Sequence, residues 1–128
     1  LIARSSLNQL RVFDEARYPW FLLVPTRSGI EELPQLSEAD RRALTDESSA
    51  VVTAVREVFG VDKVNVGALG NVVRQFHLHH VGRTLEDPAW PGPAWGHSPR
   101  QPDPRVALER GARLLAHRSI AARFAPQR

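Results

Sequence analysis

The sequence predicts an α+β fold: an antiparallel meander sheet of about five strands, one long helix on one face of it, and a C-terminal helix. Three observations carry the prediction. Trp20-Phe21-Leu22-Leu23-Val24-Pro25 is an unbroken apolar run of strand length, as a central strand covered on both faces requires. Residues 38–59 repeat apolar side chains at three- and four-residue steps, the signature of a helix with one buried stripe. Gln75 to Arg83 alternates instead at the two-residue period of a strand.

Taken in order, Leu1 to Asn8 reads as a short lead-in. Leu10-Arg11-Val12-Phe13-Asp14 alternates as a first strand, and Glu15 to Pro19 turns the chain back into the apolar run, giving a hairpin with a wide loop. Thr26 to Leu36 is an ordered loop with a short helical turn. Ser37 then caps the helix, Glu38 and Asp40 sit on its positive end, and Gly60 stops it. Leu44, Ser48, Val51, Val52, Val55, Val58 and Phe59 form its buried stripe, with Arg41, Arg42, Glu47 and Arg56 off it. Val61 to Ala68 is the third strand, Gly67-Ala68-Leu69-Gly70-Asn71 a glycine-punctuated turn, and residues 75–83 the fourth strand. Thr84 to Trp95, with three prolines, is neither helix nor central strand. Its two tryptophans, Trp90 and Trp95, either seal the core's flank or wall a pocket. From Arg105 a second helix follows on Val106, Leu108, Ala112, Leu115 and Ile120, broken near His117. The organisation expected is a domain over residues 1–96 and a helical extension, 97–128, packed on the same domain.

Composition narrows the function. Hydrophobic content of 42% and charged content of 24% suit a soluble globular domain, and no apolar run approaches the roughly 20 residues of a membrane helix. The absence of cysteine excludes disulfides and thiolate metal sites and points to a cytoplasmic location. Net charge is +3 with Lys63 the only lysine, and the arginine-heavy, Ala/Val/Leu-rich usage suggests a bacterial source. The arginines are scattered, with no interleaved aromatic platform, so no nucleic acid polymer is expected as partner.

In the fourth strand, Gln75, His77, His79 and Val81 share one face, and Phe76, Leu78, His80 and Gly82 the other. Alternate positions lie about 7 Å apart on a strand, a spacing suited to bracketing a phosphate. The neighbouring glycine turn can bring backbone N–H groups to the same anion. Zinc is a poor fit, since one face offers only His77 and His79; no metal and no cofactor are expected. His80 reads as structural, and Arg83 as either a phosphate contact or a solvated strand-end cation.

Gly70-Asn71-Val72-Val73-Arg74-Gln75-Phe76-His77-Leu78-His79-His80-Val81-Gly82-Arg83 resembles the signature of the histidine-triad (HIT) superfamily, three histidines separated by apolar residues. Aligned through Arg83, Gln75 takes the first triad position, His77 the middle and His79 the third. The Pro19–Pro25 run and the helix after it also resemble the family's segment there, so the likeness spans Leu10 to Trp95. The Trp-Pro-Gly-Pro-Ala-Trp-Gly run at 90–96 resembles a bacterial subgroup in which glutamine also takes the first position. The resemblance implies a nucleotide or nucleotide conjugate as partner, cleavage at its α-phosphate through a nucleotidyl-histidine at His77, and a homodimer. It makes His79 and Gln75 companions in catalysis. Asn71 and Gly70 then sit by the phosphate, Asp14 near the ribose hydroxyls, and Asn65 near the phosphate side. An imidazole is nucleophilic when neutral. Gln75, an amide, cannot deliver a proton, so general-acid help of about 10²–10⁴-fold is missing from that position. A nucleotidyl hydrolase or transferase, a catalytically weak nucleotide sensor, and a plain structural module are the function classes the sequence leaves standing.

Overall fold

A computed structural model describes residues 1–127. Its strands are β1 (Ala3–Arg4), β2 (Asn8–Val12), β3 (Trp20–Pro25), β4 (Lys63–Gly67), β5 (Leu78–Arg83) and β6 (Ala125–Pro126). Its helices are α1 (Glu38–Phe59), α2 (Pro104–Leu115) and the short α3 (Arg118–Ala121). The strands form one six-stranded sheet in the order β4-β5-β3-β2-β1-β6, every pairing antiparallel. Two strands beyond the four placed from the sequence arise at the termini. Residues 1–8 are not a mere lead-in: β1 folds back on β2, and β6 pairs with β1.

Helix α1 forms where capping and periodicity agree. The Ser37 hydroxyl accepts the Asp40 N–H at 3.1 Å, and Gly60 closes the helix at φ +62°, a left-handed conformation that glycine adopts without steric cost. Leu44, Val51, Ala54 and Val55 of α1 meet Leu10, Phe21 and Leu23 of the central strands in the main core. The buried face differs from the expected stripe by adding Ala50, Ala54 and, against its charge, Glu47. Glu47 is buried, because the side-chain amide of Asn8, itself fully buried on β2, donates to its carboxylate. A buried charge is tolerable only with such a partner. On the same face, Gly82 lies so close to α1 that a Cβ there would sit 2.9 Å from Val61 Cγ1, 3.2 Å from Val55 Cγ1 and 3.3 Å from Pro19 Cγ.

The C-terminal segment completes this core with Leu114 of α2, Ile120 of α3 and Phe124 just beyond α3. The buried stripe of α2 is Ala107, Gly111 and Leu114, whereas Leu108, expected inside, is 70% exposed. Small size decides the face: a Cβ on Gly111 would already be 3.2 Å from Ile2 Cγ2 and 3.7 Å from Val12 Cγ1, so α2 lies close over Ile2 and β2. The helix breaks where expected, and His117 caps α3 by accepting the Ser119 N–H at 3.2 Å. Arg110 of α2 donates to the carbonyls of Glu15, Ala16 and Tyr18, each at 2.8 Å, and so ties the β2–β3 connection down. No helix among the described residues is long and apolar enough to cross a membrane. The helices leave the other sheet face open, and β2, β3 and β5 furnish it in rows: Arg11 pairs with Leu22, and Leu22 with His79.

Candidate active site

Strand β5 begins at Leu78, so Gln75 and His77 precede it instead of lying within it as the alternation suggested. Phe76 is pinned there, buried in the core with its N–H donated to Ile30 O at 2.8 Å. The side chains nevertheless sort as expected. Gln75, His77 and His79 line one cavity of about 370 Å³ on the open face, floored by Phe13, Leu22 and Val24. A second cavity of about 360 Å³ adjoins it at the same two histidines, and Gly70, Asn71 and Val72 of the glycine turn form its other wall. Gly70 holds that turn at φ +69°, in the left-handed region.

The two imidazoles stand 4.9 Å apart between ring centroids. Their hydrogen bonds give them opposite tautomers. His77 Nδ1 is 2.7 Å from the Gln75 carbonyl oxygen, which can only accept, so Nδ1 carries the proton and Nε2 keeps its lone pair. The indole Nε1–H of Trp20 donates to His79 Nδ1 at 3.0 Å. An indole nitrogen is a donor only, so the His79 proton resides on Nε2. Burial, with the neighbouring His77 adding to it, pushes the His79 pKa down to about 4. The pair thus combines a half-buried imidazole whose Nε2 keeps its lone pair with a neutral N–H donor. Each ring has one nitrogen committed to the protein, and among the described residues no group of three His, Cys, Asp or Glu side chains is arranged to hold a metal.

Other residues singled out by sequence are placed as follows. Gln75 turns one amide N–H toward the Pro25 carbonyl at 3.4 Å, so only part of its donor capacity faces the cavity. Asn71 stands exposed on the second cavity's wall. Asn65 and Asp14 line neither cavity. Asn65 Oδ1 accepts from Arg83 Nη1 at 2.9 Å, and Asp14 Oδ1 accepts the Asp103 N–H at 2.8 Å. Arg83 is neither a phosphate contact nor a solvated cation: it is 1% exposed, 2.7 Å from the Asp87 carboxylate, with the Tyr18 and Trp90 rings beside it. His80 is fully buried on the helix side, its Nε2 2.8 Å from Ser48 Oγ, and burial lowers its pKa to about 4.

The tryptophans divide the two roles expected of them. Trp90 flanks Arg83, while Trp95 packs edge-on against His79 and Trp20, at 5.6 Å and 5.8 Å between ring centroids. Sequence reasoning missed Trp20, Gln9 and Arg11. The last two were within reach, because the alternation Leu10-Arg11-Val12-Phe13 already sends Arg11 and Phe13 to the side opposite Leu10.

Comparison with known proteins places the fold. The family model described as the HIT domain matches residues 2–85. Among solved structures, a histidine triad protein from Marinobacter aquaeolei VT8 is 43% identical, at a TM-score of 0.83 with 87% of this chain and 82% of that one covered. A histidine triad (HIT) protein from Sinorhizobium meliloti 1021 is 39% identical, at a TM-score of 0.82 with 85% and 82% covered. A histidine triad protein from Bradyrhizobium japonicum is 35% identical, at a TM-score of 0.81 with 88% and 87% covered. No curated protein matches the chain. With most of its length aligned to these proteins and its two cavities meeting at His77 and His79, the chain belongs to the histidine triad (HIT) family.

Proposed function

We propose that the protein binds a nucleotide conjugate with its α-phosphate at His77 and His79, and cleaves it through a nucleotidyl-histidine on His77 Nε2. Attack forms the Nε2–P bond as the bond from phosphorus to the leaving group breaks, and the leaving group departs with that electron pair. The positive charge gained by the His77 ring is shared, through Nδ1–H, with the Gln75 carbonyl. His79 Nε2–H and the Asn71 amide donate to the phosphoryl oxygens, where negative charge develops. Water, or another acceptor in a transferase, then attacks phosphorus, loses its proton to solvent, and releases His77.

The observation that carries this reading is the pair of opposite tautomers, fixed by Gln75 O and Trp20 Nε1–H. Gln75 cannot protonate a leaving group, so a polyphosphate, which leaves as an anion, is favoured over an amine. A cytoplasmic homodimer from a bacterial source belongs to the same proposal. The edge position of β4, with Val66 exposed, supports the dimer. The glutamine favours one second reading, a nucleotide sensor with weak turnover.

Incubation with a dinucleoside polyphosphate and with adenosine phosphoramidate, followed by chromatography, separates these readings. Turnover of the polyphosphate that His77→Ala abolishes is the expected result. Turnover that survives His77→Ala refutes the mechanism. Binding of AMP or GMP without turnover selects the sensor, and a ligand at 100 times its Kd should then add about 2.7 kcal/mol of stability.

A further inference from the structure

On β2, Gln9 and Arg11 alternate onto the open face and line the same cavity as His77 and His79. Arg11 donates Nε–H at 3.0 Å and Nη2–H at 2.8 Å to one atom, Gln9 Oε1. This commits the side edge of the guanidinium and the only acceptor of the Gln9 amide. The end edge of Arg11, with one N–H from each terminal nitrogen, has no acceptor among the described residues. The Gln9 NH₂ has none either, and no carboxylate is paired with Arg11. The β2 side of the cavity's rim is therefore made of donors.

Beneath that rim the floor is apolar, built from Leu22, Val24 and Phe13. A flat ring resting on it would present its β2-side edge to the N–H groups of Gln9 and Arg11. Arg11 stands two strands from His79, through Leu22, and at about 4.8 Å per strand this leaves roughly 10 Å for a ribose and a base between phosphate and rim. A 6-oxopurine carries adjacent acceptors, O6 and N7, that match the two parallel N–H groups of a guanidinium. Adenine sets the N6 donor in the place of O6 and would point N–H at N–H.

We infer that Gln9 and Arg11 form a base-reading edge that selects a 6-oxopurine nucleotide, guanine or hypoxanthine, over an adenine nucleotide. The inference rests on the nucleotide reading given above and assigns the base that this reading leaves open.

Calorimetric titration of the wild-type protein with GMP, IMP and AMP tests it. GMP and IMP should bind alike, each about tenfold or more tighter than AMP, the discrimination expected of one bidentate arginine contact. Gln9→Glu keeps the size and the tie to Arg11 but replaces the NH₂ donors with an acceptor, and should bring GMP and AMP toward parity. Arg11→Met should weaken GMP by a similar factor without weakening AMP, whose clash with the guanidinium it removes, and a thermal melt confirms that the variant is folded. AMP binding as tightly as GMP, or a preference that survives both variants, overturns the assignment while the nucleotide reading stands. Preference for GMP without IMP overturns it too, because the 2-amino group would then be the group read. Binding of none of the three overturns the nucleotide reading, and the base assignment with it.

Discussion

Mild acid should destabilise this protein before its carboxylates begin to titrate. His79 and His80 are both buried, and both are held near a pKa of about 4 against an ordinary 6.5. The unfolded chain therefore takes up these two protons first as pH falls, and the folded state is penalised from about pH 6.5 down to about pH 4. Between pH 7.5 and pH 5 each residue costs about 2 kcal/mol, or about 4 kcal/mol for the pair. That is a large part of the roughly 5–15 kcal/mol by which a domain is stable. The carboxylates occupy a separate window. Glu15, whose hydrogen bonds from Arg17 lower its pKa from 4.5 to about 2, loses its contribution only as pH falls below the ordinary carboxylate range. Guanidinium denaturation followed by tryptophan fluorescence at pH 7.5, 6 and 5 measures the effect. The double variant Ser48→Ala/His80→Leu removes one of the two groups and should halve the loss over this range, whatever it does to stability at neutral pH. A loss below about 1 kcal/mol in the wild-type protein would refute the assignment of two buried, neutral histidines.

Two further substitutions probe the packing around β5. Gly82→Ala places a methyl group within 2.9 Å of Val61 and should cost about 1–3 kcal/mol, read as a lower denaturation midpoint at constant slope. Arg83→Met strands the Asp87 carboxylate, only 5% exposed, without its cation and should cost about 3–5 kcal/mol, part of which Asp87→Asn restores in the double variant.

Helix α1 was legible because its evidence is local: Ser37, the acidic first turn, the apolar steps and Gly60 lie within one segment. Strand β3 and the glycine turn were legible for the same reason, and the spacing of Gln75, His77 and His79 brought three side chains to one cavity even though β5 starts later than expected. What stayed hidden depends on partners distant in sequence. Glu47 goes inside because Asn8 supplies an N–H from β2, and Arg83 goes inside because Asp87, Asn65, Tyr18 and Trp90 surround it. The buried face of α2 carries little hydrophobic signal, because Ala107 and Gly111 face the core for their smallness. Trp20 is one more apolar residue of the β3 run in the sequence, and only its contact across the sheet makes it the residue that fixes the tautomer of His79.

Arg110 gives the open-face cavity a dependence on a helix that touches none of its contents. Its guanidinium gathers three carbonyls of the bend that starts at Phe13, and Phe13 floors the cavity. Helix α2 is thus a brace for the bed on which a base would rest, although it lies beyond the residues matched by the family model. Ligand preference among proteins of this architecture could therefore drift through changes in such braces while every residue facing the ligand stays the same.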